Sequence, residues 1–496
     1  MNVLLYVVDC LRADRPGILG YPRPTTPVLD RLAAEGIVFA NAYAQSGWTA
    51  PSAASLFSSQ YPAATGIRKM RDPLAPSIPW LPEILRSQGY RTAGFSTIYQ
   101  VSALRGLHRG FHTFVDLFKD PEAMEACRRR GQDDRGSHYC LPLSEDLHRR
   151  ALRWLDEEGP EDPFAEPFFM LLWSIDTHEP FRHPEGYNLD ADPAYRGPVT
   201  GRGRPFSKVR NRADLRQLEA LYDGALRYQD EQLGQLLDAL EERSLLDETL
   251  VVVAGDHGEM FFEHGLAGHG KYPWEEELRV PLILRCPQTL PQGRVYSSMV
   301  QLMDVAPTIL DVAGLEEEPA FKGRSLRPLF EDLQGEIHEE ILLEVPSPFH
   351  REETARVART RDWKYVEYRP PRGARRLKRL SRELGRALTL LGRPSMLPIL
   401  YGHLLRGGGR ELLSSLEDLK RFVQGRPLRR LIHLKEDPGE ELNRVRDEPL
   451  RAQAMGERLK LLEATDAPAS VSSSPVSAGE EAGIRRHLAQ LGYLEE

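Results

Sequence analysis

Cysteine is scarce in this chain, with four in 496 residues. The four lie far apart and show none of the close spacings of zinc-binding cysteine pairs, which argues against a zinc ribbon and against a disulfide framework. A single disulfide could still form in an oxidising compartment. The cysteines are Cys10, Cys127, Cys140 and Cys286, and the candidate pair is Cys127 with Cys140.

Long apolar runs are also missing. No stretch is long enough to span a bilayer, and the first residues show no charged segment followed by an apolar run and a cleavage site. As written, the sequence predicts a cytoplasmic protein, or a periplasmic one if its true start lies upstream.

The chain has no strong excess of one charge sign. A formal net charge of -8 is small for this length, and 41% hydrophobic with 28% charged residues is typical of a globular protein. This charge argues neither for nor against a charged partner, and we expect no nucleic-acid partner. The length exceeds that of one usual hydrophobic core, which predicts a large domain with a smaller one attached.

One segment departs from this balance. Arg369–Arg430 holds 16 lysines and arginines against 4 acidic residues. Part of it, Leu377–Leu391, is amphipathic, so the first interpretation is a solvated insertion that packs its leucines onto the domain. The alternative is a surface for a peripheral membrane or an acidic partner.

Three apolar runs are each closely followed by acidic residues or histidines. The runs and these residues are Asn2–Val8 with Asp9, Phe168–Ile175 with His178, and Thr249–Ala254 with Asp256 and His257. Continuous apolar character predicts strands buried on both faces, as in a parallel sheet. Ligands bind beside the carboxyl ends of such strands, so these side chains are candidates for one common site.

A single threonine stands at a predicted helix start. Within Ser46–Phe57 a turn precedes Thr49, and Pro51 lies in the first helical turn, where its missing N–H needs no partner. The free N–H groups of that turn would face an anion approaching Thr49, which suits a nucleophile. The alternative is that Thr49 is an N-cap whose hydroxyl accepts from a backbone N–H.

Asp9, Thr49, Asp256 and His257 together offer two carboxylates, one hydroxyl and one imidazole. These donors suit one divalent metal ion, Mn²⁺ or Ca²⁺ first and Mg²⁺ next, better than an ion that prefers thiolates, with zinc left open. A metal bound to the threonine oxygen would make an alkoxide nucleophile at neutral pH.

Three further side chains could bind the other oxygens of a tetrahedral anion or protonate its leaving group. They are His178 and, in the glycine-rich loop Glu263–Lys271, His269 and Lys271. Taken singly, each is more often a structural or surface residue.

The order of these motifs and the residues in them resemble those of the sulfatase family of the alkaline phosphatase superfamily over nearly the whole chain. The matching blocks are Asn2–Asp9, Leu11–Asp14, Pro24–Asp30, Thr49–Ser52, Asp176–Phe181, Gly255–Glu259, His269–Gly270, Arg279–Leu282, Asp304–Thr308, Glu436–Asn443 and Leu491–Tyr493. The resemblance implies an α/β fold: a mixed, mostly parallel central sheet sandwiched by helices, plus a small C-terminal α+β subdomain.

The expected domains follow from the resemblance and from changes in composition along the chain. They are a catalytic domain at 1–340, a subdomain with a small antiparallel sheet and the basic helical insertion at 341–463, a linker at 464–482 and a C-terminal helix at 483–496.

The nucleophile block departs from the family pattern. The sulfatase pattern at the nucleophile is Cys/Ser-x-Pro-Ser-Arg, and the matching residues of this chain are Thr49-Ala50-Pro51-Ser52-Ala53. Where the family has a second aspartate after the first strand, this chain has Cys10. The resemblance implies that threonine is not oxidised, so we expect no formylglycine. The combination of a threonine and the Asp256–His257 pair instead resembles the sites of phosphodiesterases and of phosphoglycerol or phosphoethanolamine transferases of the same superfamily. Those enzymes use a covalent phosphothreonine.

The sequence thus favours a metal-dependent hydrolase or transferase of phosphate mono- or diesters, acting on a small-molecule, lipid or glycan ester. A sulfuric ester hydrolase that uses the unmodified threonine is the second hypothesis. The third is an inactive homologue that binds a partner through the basic segment 369–430.

Overall fold

The computed structural model describes most of residues 1–463. Outside this description lie residues 68, 71, 131–140, 182, 189, 202, 271, 349–353, 370–420, 422, 423, 425 and 464–496. Lys271, Cys140, nearly all of the basic segment, the predicted linker and the predicted C-terminal helix are therefore outside the described residues. None of the helices in the described part of the chain combines the length and apolar character needed to cross a bilayer.

The described strands, in chain order, are β1 Asn2–Val8, β2 Ile37–Tyr43, β3 Arg91–Ser96, β4 Thr113–Asp116, β5 Phe168–Ser174, β6 Thr249–Gly255, β7 Met260–Phe261, β8 Ala267–Gly268, β9 Arg279–Arg285, β10 Arg294–Gln301, β11 Glu340–Pro346, β12 Thr354–Thr360, β13 Trp363–Arg369 and β14 Leu428–His433. The described α-helices are α1 Pro27–Ala34, α2 Thr49–Ser58, α3 Pro62–Thr65, α4 Leu81–Ser87, α5 Pro121–Arg129, α6 Ser144–Glu157, α7 Arg212–Glu242, α8 Glu275–Leu278, α9 Val305–Val312, α10 Pro328–Glu331, α11 Pro449–Arg458 and α12 Lys460–Glu463.

Eight of these strands form the main sheet, in the order β10-β2-β9-β6-β1-β5-β3-β4. β9 runs antiparallel to both of its neighbours, and the other neighbouring pairs are parallel. The expected mixed, mostly parallel sheet is therefore confirmed. Because β6, β1 and β5 are parallel neighbours, their carboxyl ends lie side by side at one edge.

From Val3 to Val8 the central strand β1 is apolar, because both of its faces are covered. Successive side chains of a strand point to opposite faces. Leu5 and Val7 belong to the buried cluster that includes residues of α2, whereas Leu4 and Val8 belong to the one that includes residues of α7. Helices therefore sandwich the sheet, as the sequence predicted.

The long helix α7 supplies much of one cluster. Its leucines at helical spacing, among them Leu218, Leu233 and Leu237, are buried against the sheet. The helix begins at Arg212, where the Asn211 side chain accepts hydrogen bonds from backbone N–H groups of the first turn.

A second, four-stranded antiparallel sheet has the order β11-β12-β13-β14. Its four strands lie within the predicted C-terminal subdomain, except that β11 begins at Glu340. An apolar cluster that includes Tyr43 and Leu278 together with Ile341 and Val357 joins this sheet to the main one, and α11 packs on its other face. The small C-terminal α+β unit is present, while the boundary at residue 340 stays a prediction.

A fully buried lysine joins the two sheets. Lys364 Nζ, from β13, lies 3.2 Å from a carboxylate oxygen of Glu275 and 2.7 Å from one of Glu440. Glu275 also pairs with Arg359 at 3.2 Å. Since removing carboxylates from water is costly unless cations match them, Lys364 compensates charge on both sides of the junction.

Lys364→Met keeps the buried stem but removes its charge. Glu275 and Glu440 then lose their shared cation, so we expect the free energy of unfolding in urea to fall by about 3–5 kcal/mol. Lys460→Met, at an exposed lysine, is the matched control and should cost less than about 1 kcal/mol. A Lys364→Met protein as stable as this control would contradict the account.

Candidate active site

The edge formed by β6, β1 and β5 brings together residues that are distant in sequence. Val8, the last residue of β1, lies opposite Gly255 of β6 and Ser174 of β5. Asp9 and Asp256 therefore leave neighbouring strands at the same level, as their positions at strand ends predicted.

Thr49 is the first residue of α2 and is fully buried. Its Oγ1 lies 3.3 Å from Asp9 Oδ2 and 3.3 Å from His257 Nε2. The N-cap position belongs to Trp48, whose side chain makes no capping hydrogen bond. The alternative that Thr49 is a plain N-cap is therefore wrong, because its hydroxyl faces an acid and an imidazole.

His257 is held in one tautomer by the backbone of the next residue. Its Nδ1 lies 2.8 Å from the carbonyl oxygen of Gly258. A carbonyl only accepts, so Nδ1 carries the proton and Nε2 of the neutral ring presents a lone pair to Thr49. Burial, with His269 nearby, lowers the pKa of His257 to about 3, which keeps the ring neutral at neutral pH.

The two strand-end aspartates have opposite pKa shifts. Burial acts to raise the pKa of Asp9, but the surrounding histidines, His178 foremost, hold it below its ordinary value. Burial and the charge of Asp9 raise the pKa of Asp256 well above its ordinary value. Two carboxylates so close and so deeply buried cannot both ionise cheaply without a cation between them.

Asp256 has one satisfied and one unsatisfied oxygen. Oδ1 accepts hydrogen bonds from the backbone N–H groups of Cys10, at 3.1 Å, and His257, at 2.8 Å. Oδ2 is buried, has no hydrogen-bond partner among the described residues and lies 3.4 Å from His257 Nε2. An orphaned buried carboxylate oxygen is costly, and a metal ion would satisfy it.

Donor atoms of Asp9, Asp256 and His257 all lie within 4.8 Å of one another. The Thr49 hydroxyl lies beside two of these residues. The set that the sequence predicted as metal ligands is thus assembled in one place, and its chemistry fits a divalent ion.

His178 and His269 lie beside this cluster. Their ring centroids are 5.0 Å apart, and those of His269 and His257 are 4.5 Å apart. His178 Nδ1 contacts the carbonyl oxygen of Glu179 at 2.8 Å. The structure therefore brings both predicted histidines to the site, whereas Lys271 lies outside the described residues.

Three residues of the site were not among the predicted candidates. Trp173 Nε1 donates to Asp9 Oδ2 at 3.3 Å. Glu259 is fully buried, with both carboxylate oxygens 3.2 Å from His269 Nδ1, and burial raises its pKa to about 7. Cys10 Sγ donates to Asp9 Oδ1 at 3.1 Å. Glu259 lies within a matching motif block, and Cys10 lies directly after one. These blocks are the one sequence signal that could have identified the two residues.

Comparisons with known proteins agree with this geometry. A family model described as Sulfatase matches residues 1–315, and one described as N-sulphoglucosamine sulphohydrolase, C-terminal, matches residues 263–380. An arylsulfatase of Clostridium perfringens is 26% identical over 383 residues, which cover 67% of this chain and 78% of the relative.

Solved structures share the fold. The phosphonate monoester hydrolase of Agrobacterium radiobacter superposes with a TM-score of 0.68 at 20% identity, covering 94% of this chain and 96% of that one. A protein in complex with its substrate D-glucosamine-2-N,6-O-disulfate gives a TM-score of 0.66 at 18% identity, covering 94% and 97%.

The Sulfatase family model covers more than half of the chain. The arylsulfatase relative and the phosphonate monoester hydrolase with the same fold are both hydrolases. The chain therefore belongs to the sulfatase family.

Proposed function

We propose that this sulfatase-family protein hydrolyses or transfers phosphate mono- or diesters, with Thr49 as the nucleophile. The observation that carries the proposal is the position of Thr49 Oγ1, 3.3 Å from both Asp9 Oδ2 and His257 Nε2. Asp9, Thr49, Asp256 and His257 would hold one divalent ion, which when bound makes the hydroxyl more acidic and neutralises charge on the substrate.

The identity of the nucleophile supports a phosphate ester. Formylglycine is an aldehyde that hydrates to a gem-diol, and one hydroxyl of that diol can expel a sulfate bound to the other. Threonine has a single hydroxyl on its Cβ, and Ala53 stands where the family pattern has arginine. A covalent ester on Thr49 must therefore be released by attack at its central atom, for which phosphorus is well suited.

The proposed reaction has two steps. The Thr49 Oγ1–phosphorus bond forms as the bond to the leaving alcohol breaks, and the Thr49 proton passes to a nearby base. In the second step water or an acceptor alcohol attacks phosphorus and threonine is regenerated. Hydrolysis and transfer differ only in which acceptor reaches the phosphothreonine.

The histidines beside the cluster are proposed to stabilise the negative charge on the substrate oxygens and on the leaving group during these two steps. His178 and His269 are proposed to bind the non-bridging oxygens or to protonate the leaving group. Glu259 orients His269 through its contacts with Nδ1. Lys271 remains a proposed third cation in the same loop.

Sulfuric ester hydrolysis by the unmodified threonine is the second candidate. It is favoured by the names of relatives such as the arylsulfatase of Clostridium perfringens and the N-acetylglucosamine-6-O-sulfatase of Bacteroides thetaiotaomicron. An inactive binding protein is less well supported, because the acids, the imidazole and the hydroxyl converge. Binding of an acidic partner or a membrane surface by the basic segment 369–430 stays a separate proposal.

Thr49→Val keeps the shape of the side chain and removes its hydroxyl. We expect turnover of bis(4-nitrophenyl) phosphate with added Mn²⁺ to fall by at least about 10³-fold, since the nucleophile is lost. Thr49→Ser, which keeps a hydroxyl, is the matched control and should retain measurable turnover. Turnover by Thr49→Val at the wild-type rate would refute Thr49 as the nucleophile.

Matched aryl esters separate the two candidate reactions. With 4-nitrophenyl phosphate, bis(4-nitrophenyl) phosphate and 4-nitrophenyl sulfate the leaving group is the same. We therefore expect kcat/KM to be at least about tenfold higher for one of the phosphate esters, or about 1.4 kcal/mol in transition-state stabilisation. Faster release from the sulfate would instead establish the second candidate. No turnover of any ester with Mn²⁺, Ca²⁺, Mg²⁺ or Zn²⁺ would point to the binding protein.

A further inference from the structure

The thiol of Cys10 lies inside the cluster of acids and imidazoles. Cys10 is fully buried, and its backbone is fixed on both sides. Its N–H donates to Asp256 Oδ1 at 3.1 Å, and its carbonyl oxygen accepts from Tyr222 Oη at 2.8 Å. The φ angle is 60°, a region that residues other than glycine seldom adopt. The surrounding structure therefore imposes the direction of this side chain.

The Cys10 side chain points toward polar groups. A buried free cysteine usually packs as a small apolar side chain. Here Sγ lies 3.1 Å from Asp9 Oδ1 and 3.5 Å from His269 Nδ1. Donor atoms of Cys10, His257 and His269 all lie within 4.8 Å of one another, as do those of Asp9, Cys10 and His178.

A second observation points to a ligand at the same place. Asp256 Oδ2 is buried without a hydrogen-bond partner among the described residues, and it belongs to the overlapping donor group with Asp9 and His257. The thiol, the carboxylates and the imidazoles thus border one small polar centre.

We propose that Cys10 is a thiolate ligand of this divalent metal centre and that it gives the centre a preference for zinc-class ions over calcium and magnesium. The inference rests on the proposed function for the existence of the centre and adds the class of metal. On binding, a sulfur–metal bond forms and the thiol proton leaves to solvent, with no change of oxidation state.

Ligand chemistry supports this preference. Calcium and magnesium are bound almost entirely by oxygen, whereas thiolate and imidazole suit zinc. The sequence-based preference for Mn²⁺ or Ca²⁺ counted only oxygens and a single imidazole. With the sulfur of Cys10 included, the donor set becomes softer.

The spacing of the donors also agrees. Bonds of about 2.0–2.3 Å to a tetrahedral zinc ion separate neighbouring ligand atoms by roughly 3.3–3.8 Å. Thr49 Oγ1 lies 3.3 Å from both Asp9 Oδ2 and His257 Nε2, and Asp256 Oδ2 lies 3.4 Å from His257 Nε2. Calcium takes six to eight oxygen ligands at about 2.3–2.6 Å, a set in which a sulfur donor has no place.

Cobalt spectroscopy tests this directly. The full-length protein is stripped with a chelator and titrated with Co²⁺, and the near-ultraviolet band of sulfur-to-cobalt charge transfer is recorded with the visible ligand-field bands. Cys10→Ser removes the thiol, and Cys10→Asp replaces it with a carboxylate. Cys286→Ser, at a second buried free cysteine that follows β9 instead of β1, is the matched control.

We expect the charge-transfer band in the wild type and in Cys286→Ser, and its loss in both Cys10 variants while the visible bands persist. In competition titrations Cys10→Asp should lower the affinity for Zn²⁺ relative to Ca²⁺ by at least about tenfold. If Cys10→Ser does not fold, Cys10→Asp provides the same comparison.

Two outcomes overturn the inference. Cobalt bound to the wild type without a charge-transfer band would mean that the thiol only donates a hydrogen bond to Asp9; Thr49-dependent phosphodiester turnover would then leave the proposed function standing. A band that survives in both Cys10 variants would place the thiolate elsewhere. Absence of cobalt binding together with absence of turnover would remove both proposals.

Discussion

Two carboxylates and a neutral imidazole face one another at the ends of β6 and β1, and the surrounding site is built around that buried charge. Asp9 and Asp256 cannot both ionise there at low cost, and their opposite pKa shifts express this conflict. A bound divalent cation resolves it and satisfies Asp256 Oδ2 at the same time. The same cation would act on Thr49, so binding and chemistry depend on one charge balance.

Much of this arrangement is predictable from local sequence. β1 has the bounds that its apolar run indicates, because Val3 to Val8 are buried on both faces of the sheet. Pro51 lies in the first turn of α2, as its missing N–H allows, and Thr49 is the first residue of that helix. Parallel order then makes the strand ends converge, so the acids, His178 and His257 can be expected together without knowledge of any contact.

The contacts that refine the site depend on tertiary structure. The direction of the Cys10 thiol follows from a positive φ and from Tyr222, which lies in the middle of α7. Glu259 meets His269 because the hairpin of β7 and β8 turns the chain back on itself. Neither effect has a local sequence signal, since a two-residue strand is too short for periodicity to indicate it.

The two departures from the family pattern, Thr49 as the proposed nucleophile and Cys10 as the proposed ligand, are physically connected. Thr49 is a simple alcohol whose proton is held about as tightly as that of water, whereas water bound to zinc loses its proton near pH 7 instead of near pH 15.7. Calcium, a larger and harder ion with more ligands, acidifies a bound oxygen much less. A thiolate at Cys10 keeps the single negative charge that an aspartate would supply while favouring the more strongly acidifying ion. A chain that relies on an unmodified threonine therefore gains from a sulfur ligand, and this links the two departures through the acidity of one hydroxyl.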